Sequence, residues 1–272
     1  MRVIAIDWSG AKKPGQKIWL AQANLGQIEV LAPIRSQKEA IDRVIEYGAE
    51  GPSTVIGLDF AFSFPAWFLR SHELSTVSEL WRLVEQEGER WLSACDPPFW
   101  GRPGKKQPQL DRFYRRTEEK LRRVGHRPKS CFQIGGAGAV GTGSIRGMPF
   151  LAKAMRAGFA IWPFDAASTR MIVEIYPRVL TGPVSKSSAN ARAEYLVKNW
   201  PRIHSSMRNC AASSEDAFDA AVSALVMDSC RSEFAALQSG DEVQKLEGEV
   251  WLPLSTRNGH DGSETASNGL SI

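Results

Sequence analysis

The chain has 272 residues and a formal net charge of +4, and 43% of its residues are hydrophobic and 24% charged. These values are typical of a globular protein with one large or two small domains, and no apolar run approaches the roughly 18 residues of a membrane-spanning helix. The N-terminus lacks the features of a secretory signal, so we expect a cytoplasmic protein without a membrane partner.

Cysteine and histidine usage excludes two further classes. The chain has four cysteines and four histidines, and no two cysteines have C-x-x-C spacing. A zinc site and a disulfide scaffold are therefore not expected.

The N-terminal part of the chain predicts a mixed α/β sheet. Four apolar runs are typical of strands: residues 2–7, 17–23, 27–31 and 54–59. A helix lies between the third and fourth strands, and the spacing from Ser36 to Glu39 is that of a capping box at its start. Three strands, a helix and a fourth strand are the beginning of an α/β fold.

The rest of the chain alternates predicted helices with loops. Helices are predicted at 76–94, about 110–124, 149–157, 187–199 and 214–229, with a strand around Glu174 and a short closing strand at 249–253. We predict a single domain over 1–253, with an insertion at about 64–150. The polar segment 254–272 is predicted to be a disordered tail.

Acidic side chains recur at the ends of the predicted buried strands. Asp7 and Asp59 end the first and fourth strands, and Glu174 lies in the fifth. Asp216 and Asp219 lie three residues apart on a late helix, so they share a face. Carboxylate oxygens are the ligands that Mg²⁺ prefers, and adjacent strands lie about 5 Å apart. The sequence predicts Asp7, Asp59, Asp216 and Asp219 as ligands of Mg²⁺ or Mn²⁺, and Asp7, Asp59, Glu174 and Asp219 as the catalytic set.

Most of these acids also have a simpler explanation. Asp7 could form a turn before Ser-Gly, and Asp59 could cap the helix that follows it. Asp216 lies in the first turn of its helix, where the helix dipole favours an acid. Asp219 is harder to explain in this way because it lies one turn further on, between apolar residues. The joint recurrence of the acids favours a metal site.

Glu174 is followed closely by basic residues. An ion pair with Arg178 would explain this acid without catalysis. Arg178, Lys186 and Arg192 could neutralise a phosphate near Glu174, but a surface role is favoured for all three.

The glycine-rich segment 135–147 could hold phosphate through backbone N–H groups. It is neither a Walker motif nor a clean dinucleotide fingerprint, so a flexible loop beside the site is favoured. Thr142, Ser144 and Arg146 are the residues predicted to contact a phosphate there.

A basic segment separates the predicted halves of the site. From Gly101 to Lys129 there are 11 Lys or Arg residues and three Asp or Glu residues. Such a segment could bind nucleic acid, with Arg115 and Arg116 contacting phosphates, or it could be a solvated insertion. Trp8 and Ser9, which follow the first strand, are predicted to line the substrate cleft.

Six segments carry a family likeness in their order along the chain: Asp7-Trp-Ser-Gly-Ala, Gly57-Leu-Asp59-Phe-Ala-Phe-Ser-Phe-Pro65, the segment from Gln133 to Gly143, Ile161-Trp-Pro-Phe-Asp165, Val173-Glu174-Ile-Tyr-Pro177 and Ser214-Glu-Asp216-Ala-Phe-Asp219-Ala. Over roughly residues 2–253 they resemble the domain-of-unknown-function family 429. Its members are described as predicted nucleases with an RNase H-like fold, akin to the Holliday-junction resolvases.

The resemblance implies an α/β fold with an RNase H-like, mixed five-stranded sheet flanked by helices, here with a helical and basic insertion. It also implies that Asp7 and Asp59 are the acids of the first and fourth strands. Asp216 and Asp219 match the two ligands on the C-terminal helix of such proteins, and Glu174 matches the family's own fifth-strand motif.

We therefore expect a metal-dependent nuclease that hydrolyses phosphodiester bonds in DNA or RNA. A phosphotransferase of the actin-like or sugar-kinase type is one alternative, although the glycine of its Asp-x-Gly turn is displaced here. A protein that binds nucleic acid without catalysis is the other.

Overall fold

The computed structural model describes residues 1–49, 53–110 and 112–256. Its centre is a mixed sheet of six strands: β1 (Arg2–Asp7), β2 (Ile18–Asn24), β3 (Gln27–Ile34), β4 (Thr54–Leu58), β5 (Ala160–Ile161) and β6 (Arg170–Glu174). The spatial order of the strands is β3-β2-β1-β4-β6-β5. Strands β1 to β3 are antiparallel neighbours, whereas β1, β4, β6 and β5 are parallel.

Helices cover both faces of this sheet. In chain order they are α1 (Gln37–Ala49), α2 (Ala66–Ser71), α3 (Val77–Ala94), α4 (Arg116–Arg123), α5 (Gly141–Arg156), α6 (Pro177–Thr181), α7 (Ala189–Asn199), α8 (Ser205–Ala212), α9 (Glu215–Ser229) and α10 (Gln244–Glu247), with a 3₁₀ helix at Arg231–Ala236. Among the described residues, no helix is long and apolar enough to span a lipid bilayer.

The alternation of side chains along β1 divides the core into two halves. Ile4 and Ile6 pack in the half that contains α1, α3 and α5. Val3 and Ala5 point the other way, into the half that contains α9. The same alternation decides on which face each acid at a strand end lies, because successive side chains point to opposite sides of a strand.

Close approach of α9 to the sheet depends on small residues. Ala217, Ala220 and Ala221 are almost fully buried on this helix. On the sheet side, a Cβ atom added to Gly57 would lie 2.6 Å from the Met227 sulfur. A larger residue at position 57 would therefore displace the side chains of Met227 and Ile175, which pack there.

Two expectations about the fold are corrected. The sheet has six strands instead of five because the residues before the cis Trp162–Pro163 peptide bond form the short strand β5 beside β6. The glycine-rich segment is not a loop throughout, since α5 begins at Gly141 and continues to Arg156. The predicted tail falls almost entirely outside the described residues.

Candidate metal centre

Asp7 and Asp59 are neighbours because β1 and β4 are in register. Ile6 pairs with Leu58, and the Asp59 N–H donates a hydrogen bond of 3.2 Å to the Ile6 carbonyl oxygen. Asp7 follows Val3 and Ala5 on the face covered by α9. The two acids thus occupy equivalent positions on adjacent strands.

Helix α9 brings Asp219 and Asp216 to the same region. Ser214 caps this helix, and its side-chain oxygen accepts a hydrogen bond from the Ala217 N–H at 3.0 Å. Asp216 lies in the first turn and Asp219 one turn later, on a helix that packs across β1 and β2. The four aspartates predicted as ligands therefore share one end of the sheet.

Burial and mutual repulsion raise the pKa values of these acids. The pKa of Asp7 is raised well above its usual value, by burial first and then by Asp59, Asp219 and Asp216. Burial and the Asp219 charge raise the pKa of Asp59 to about 8. Burial also raises the pKa values of Asp216 and Asp219. A group of carboxyls that resists ionisation in this way is stabilised by any cation that reaches it.

A lysine supplies the only positive charge in direct contact with this group among the described residues. The Lys186 ammonium nitrogen lies 2.6 Å from Asp219 Oδ1 and donates a hydrogen bond of 2.8 Å to Oδ2. The ammonium thus contacts both carboxylate oxygens of Asp219, and its hydrogen bond goes to Oδ2. Lys186 also lowers the pKa values of Asp7 and Asp59.

The loop that carries Lys186 is fastened by two arginines. Arg192 donates to the Lys186 carbonyl oxygen and, with two other nitrogens, to the Ala212 carbonyl oxygen. Arg178 donates to the Val184 carbonyl oxygen at 2.8 Å. The favoured surface role of Lys186 and Arg192 is therefore wrong, since both side chains are largely buried and hold the site.

Glu174 is separated from the aspartates by the register of the sheet. It pairs with Leu58, one residue before Asp59, so its side chain points to the opposite face. There its two oxygens accept hydrogen bonds of 2.5 and 2.8 Å from Arg115. One oxygen also accepts from the Phe62 N–H at 3.0 Å. Glu174 thus holds the segment after Asp59. Its oxygens are occupied by these donors, which argues against the predicted catalytic role, although its charge contributes to the raised pKa of Asp59.

The Arg115 side chain donates its hydrogen bonds to protein acceptors and is therefore not available to bind a phosphate. Besides Glu174, it contacts Glu118 and the Glu247 carbonyl oxygen, and its side chain is 1% exposed. Arg116 donates to both carboxylate oxygens of Asp241 at 2.7 Å. The prediction that Arg115 binds substrate is corrected, because its side chain is an internal connection between α4 and the C-terminal segment. Arg116 is linked to the same segment through a partly exposed ion pair, so its guanidinium is engaged by Asp241.

The residues after Asp7 are attached to α5. The Trp8 indole N–H donates to the Gly143 carbonyl oxygen at 3.1 Å, and its ring packs on Phe60 and Phe150. Arg146 donates to the Gly10 carbonyl oxygen and pairs with a carboxylate of α3. Arg146 therefore fixes the turn that follows β1 and does not reach out to a phosphate.

The two hydroxyls predicted in the glycine-rich segment also have structural roles. Ser144 is fully buried, accepts a hydrogen bond from the Ala61 N–H and donates to the Val140 carbonyl oxygen. Thr142 donates to the Ile134 carbonyl oxygen at 2.9 Å, although it lines a cavity beside Asp59. Ser9, whose hydroxyl accepts from the Ala11 N–H, lines the same cavity.

The basic segment is neutralised only in part. Five of its 11 cations contact acids or an aromatic ring: Lys105, Arg115, Arg116, Lys120 and Arg122. The other six are exposed and have no ion pair among the described residues: Arg102, Lys106, Arg112, Arg123, Arg127 and Lys129. These six, rather than Arg115 and Arg116, are available to a polyanion.

The aspartate group has the donors that Mg²⁺ or Mn²⁺ prefers, and one observation supports the fit. Asp7 is buried, and neither Asp7 nor Asp59 accepts a side-chain hydrogen bond from any described residue. Buried carboxylates in proteins are normally paired or coordinate metals. In the part of the chain that the structure describes, however, no three metal-binding side chains converge closely enough to form a ready-made site. Binding of an ion would therefore require the aspartate side chains to move together.

Comparison with known proteins found no significant match: no family model matches the chain, and neither does any curated protein or solved structure. What the site can do therefore follows from its own residues.

Proposed function

We propose that the protein is a metal-dependent phosphodiesterase that acts on nucleic acid. The observation that carries this proposal is the position of four aspartates from β1, β4 and α9 at one end of the sheet. Burial raises all four pKa values, and neighbouring aspartates raise those of Asp7, Asp59 and Asp219 further. Such a group is costly for the protein unless a cation completes it.

Asp7, Asp59 and Asp219 would hold Mg²⁺ or Mn²⁺, with Asp216 completing the set. A bound divalent ion would supply Lewis-acid stabilisation of a phosphodiester and would lower the pKa of the attacking water. Hydrolysis forms a bond from the water oxygen to phosphorus, breaks the bond to the leaving oxygen and transfers a proton to that oxygen. The aspartates orient the reacting groups, and the Asp7-to-Gly10 turn docked on α5 forms one wall of the site.

An RNase H-like fold is the second part of the proposal. Five of the strands form a mixed sheet in which β1 to β3 are antiparallel and β4 and β6 extend it in parallel. Helices lie on both faces, and the acids occupy the first strand, the fourth strand and a late helix. This arrangement supports the likeness to the domain-of-unknown-function family 429 that the six sequence segments suggest.

The test is hydrolysis of single-stranded, duplex and branched nucleic acids in Mn²⁺, with wild-type protein and the Asp7→Asn variant. We expect cleavage by wild type to be abolished by EDTA and reduced at least about 100-fold by Asp7→Asn, because the variant would lose a ligand of the ion on which the reaction depends. Asp42→Asn, an exposed acid on α1, is the matched control and should leave cleavage unchanged.

Other outcomes would favour the alternatives. Cleavage that is equal in wild type and Asp7→Asn would show that the aspartate group is not the active site. Saturable binding of ATP without nuclease activity would favour a phosphotransferase. Salt-dependent binding of nucleic acid that is insensitive to EDTA and to Asp7→Asn would favour a binding protein without catalysis.

A further inference from the structure

A cavity of about 330 Å³ opens directly beside Asp59. Its lining includes the residues that follow three parallel strands: Ser9 after β1, Phe60 after β4 and Tyr176 after β6. In open α/β sheets, ligands bind outside the carboxyl ends of the strands, where the chain connections diverge to opposite sides. The connections diverge here between β1 and β4, which places the cavity at the expected position for a ligand.

The lining of the cavity combines apolar and polar side chains. Phe60, Val140 and Leu121 contribute apolar surface, while Tyr176 and Lys129 contribute a hydroxyl and an ammonium. Among the described residues, neither of these polar groups has a hydrogen-bond or ion-pair partner. Three acids also line the cavity: Glu118 and Glu174 share the guanidinium of Arg115, whereas Asp59 belongs to the aspartate group.

We infer that this cavity binds one unpaired nucleotide of the substrate, with the base against the apolar wall and a phosphate near Lys129. The inference rests on the proposed nuclease function, which identifies the polymer, while the cavity identifies the part of it that is recognised. A volume of about 330 Å³ is at the lower end of small-ligand pockets and suits a single nucleotide unit. A base pair inside a helix cannot enter it.

The inference has a consequence for substrate choice. A nucleotide in a duplex must be unstacked and unpaired before it enters the cavity, at a cost of a few kcal/mol. A nucleotide in a single strand, a flap or a bulge avoids most of this cost. The protein should therefore cut unpaired substrates at least about tenfold faster than a fully paired duplex of the same sequence.

The direct test is binding of single nucleotides, measured by isothermal titration calorimetry without any hydrolysis. The ligands are the four ribonucleoside 5′-monophosphates and ribose 5-phosphate, which lacks the base. We expect at least one nucleotide to bind about tenfold more tightly than ribose 5-phosphate, because stacking of one base contributes about 1–3 kcal/mol.

Two variants locate the binding. Ala139 lines the cavity, so Ala139→Phe should fill it and weaken nucleotide binding by at least about tenfold. Ala137→Phe is the matched control, because Ala137 is exposed on the same segment outside the cavity, and it should bind as wild type does. Lys129→Ala, at an exposed position, should weaken binding of all the nucleotides and would decide the question if Ala139→Phe failed to fold.

The inference is overturned if ribose 5-phosphate binds as tightly as every nucleotide, or if folded Ala139→Phe and Lys129→Ala both bind as wild type does. It is also overturned if duplex and single strand are cut equally fast. Failure of the nuclease proposal gives a different result: wild-type protein would not hydrolyse bis(p-nitrophenyl) phosphate, a diester without a base, in Mn²⁺. Nucleotide binding can be present or absent independently of that measurement.

Discussion

The Lys186 ammonium lies 2.6 Å from Asp219 Oδ1, on the one α9 acid that has apolar neighbours on both sides. It occupies the position of a counter-ion for a group of acids that would otherwise repel one another. A divalent ion that binds Asp219 must therefore compete with this ammonium.

Replacing Lys186 by Met should have opposite effects with and without metal. In EDTA the variant should lose about 1.5–3 kcal/mol of unfolding free energy, the range for hydrogen bonds to charged groups. In Mn²⁺ it should gain more stability than wild type gains, because Asp219 no longer has an internal cation. Thermal unfolding with and without Mn²⁺ measures both effects.

Lys106→Met, at an exposed lysine without an ion pair among the described residues, is the matched control for this substitution. It should change neither quantity. A Lys186→Met variant that gains less from Mn²⁺ than wild type would contradict the competition between lysine and metal.

The metal-free protein should become less stable as the pH rises from about 5 to about 8. The pKa of Asp59 is raised to about 8 in the folded protein, whereas an unfolded aspartate has a pKa of about 3.9. The folded state therefore binds more protons across this range, and its stability is lost as the pH rises through the folded pKa. Each such carboxyl contributes a slope of up to about 1.4 kcal/mol per pH unit.

Urea unfolding in EDTA at several pH values measures this slope, and Asp59→Asn should make it shallower. Asp42→Asn, which changes an exposed acid, should leave the slope as it is in wild type. A wild-type stability that rises steadily between pH 5 and pH 8 would show that Asp59 is ionised in the metal-free fold.

Mn²⁺ or Mg²⁺ should raise the melting temperature of wild-type protein at pH 8. An ion present at 100 times its dissociation constant stabilises the folded state by about 2.7 kcal/mol. Asp7→Asn and Asp219→Asn should lose most of this increase, and Asp216→Asn should lose less because Asp216 is more exposed and only completes the set. The measurement is differential scanning fluorimetry over a series of ion concentrations, with Ca²⁺ as a comparison.

Glu174→Gln should destabilise the protein without removing the metal effect. The buried pair of Glu174 and Arg115 is nearly inaccessible to solvent, and breaking such a pair by removing one charge costs about 3–5 kcal/mol. Because Glu174 points away from the aspartates, the increase in melting temperature caused by Mn²⁺ should persist. If the variant remains folded but Mn²⁺ no longer raises its melting temperature, Glu174 would have to be counted as a metal ligand.

The sequence predicted those parts of the fold that depend on local pattern. Strands β1 and β4 and helices α3 and α9 lie close to their predicted positions because hydrophobic periodicity and capping residues determine them. The start of α5 within the glycine-rich segment does not follow from local pattern, since glycine disfavours a helix. Gly143 and Gly147 instead allow the helix to approach Trp8 and Phe60 closely.

The aspartates of the site could be predicted from the sequence, but the residues that contact them could not. Strand ends identify Asp7 and Asp59, whereas the face on which Glu174 lies depends on a register that local pattern does not reveal. Lys186 lies in a loop, far from Asp219 in sequence, and its burial depends on Arg192. A largely buried lysine could have been anticipated only by asking which cation balances four converging acids.

The C-terminal segment forms hydrogen bonds to residues on either side of Glu174. Glu247 accepts hydrogen bonds from the Ala66 and Arg116 N–H groups, and the Trp251 N–H donates to the Glu174 carbonyl oxygen. A chain is synthesised from its N-terminus, so Asp7, Asp59 and Glu174 precede these partners on the ribosome. The contacts that hold the backbone around Glu174 can therefore form only after all four aspartates have been synthesised.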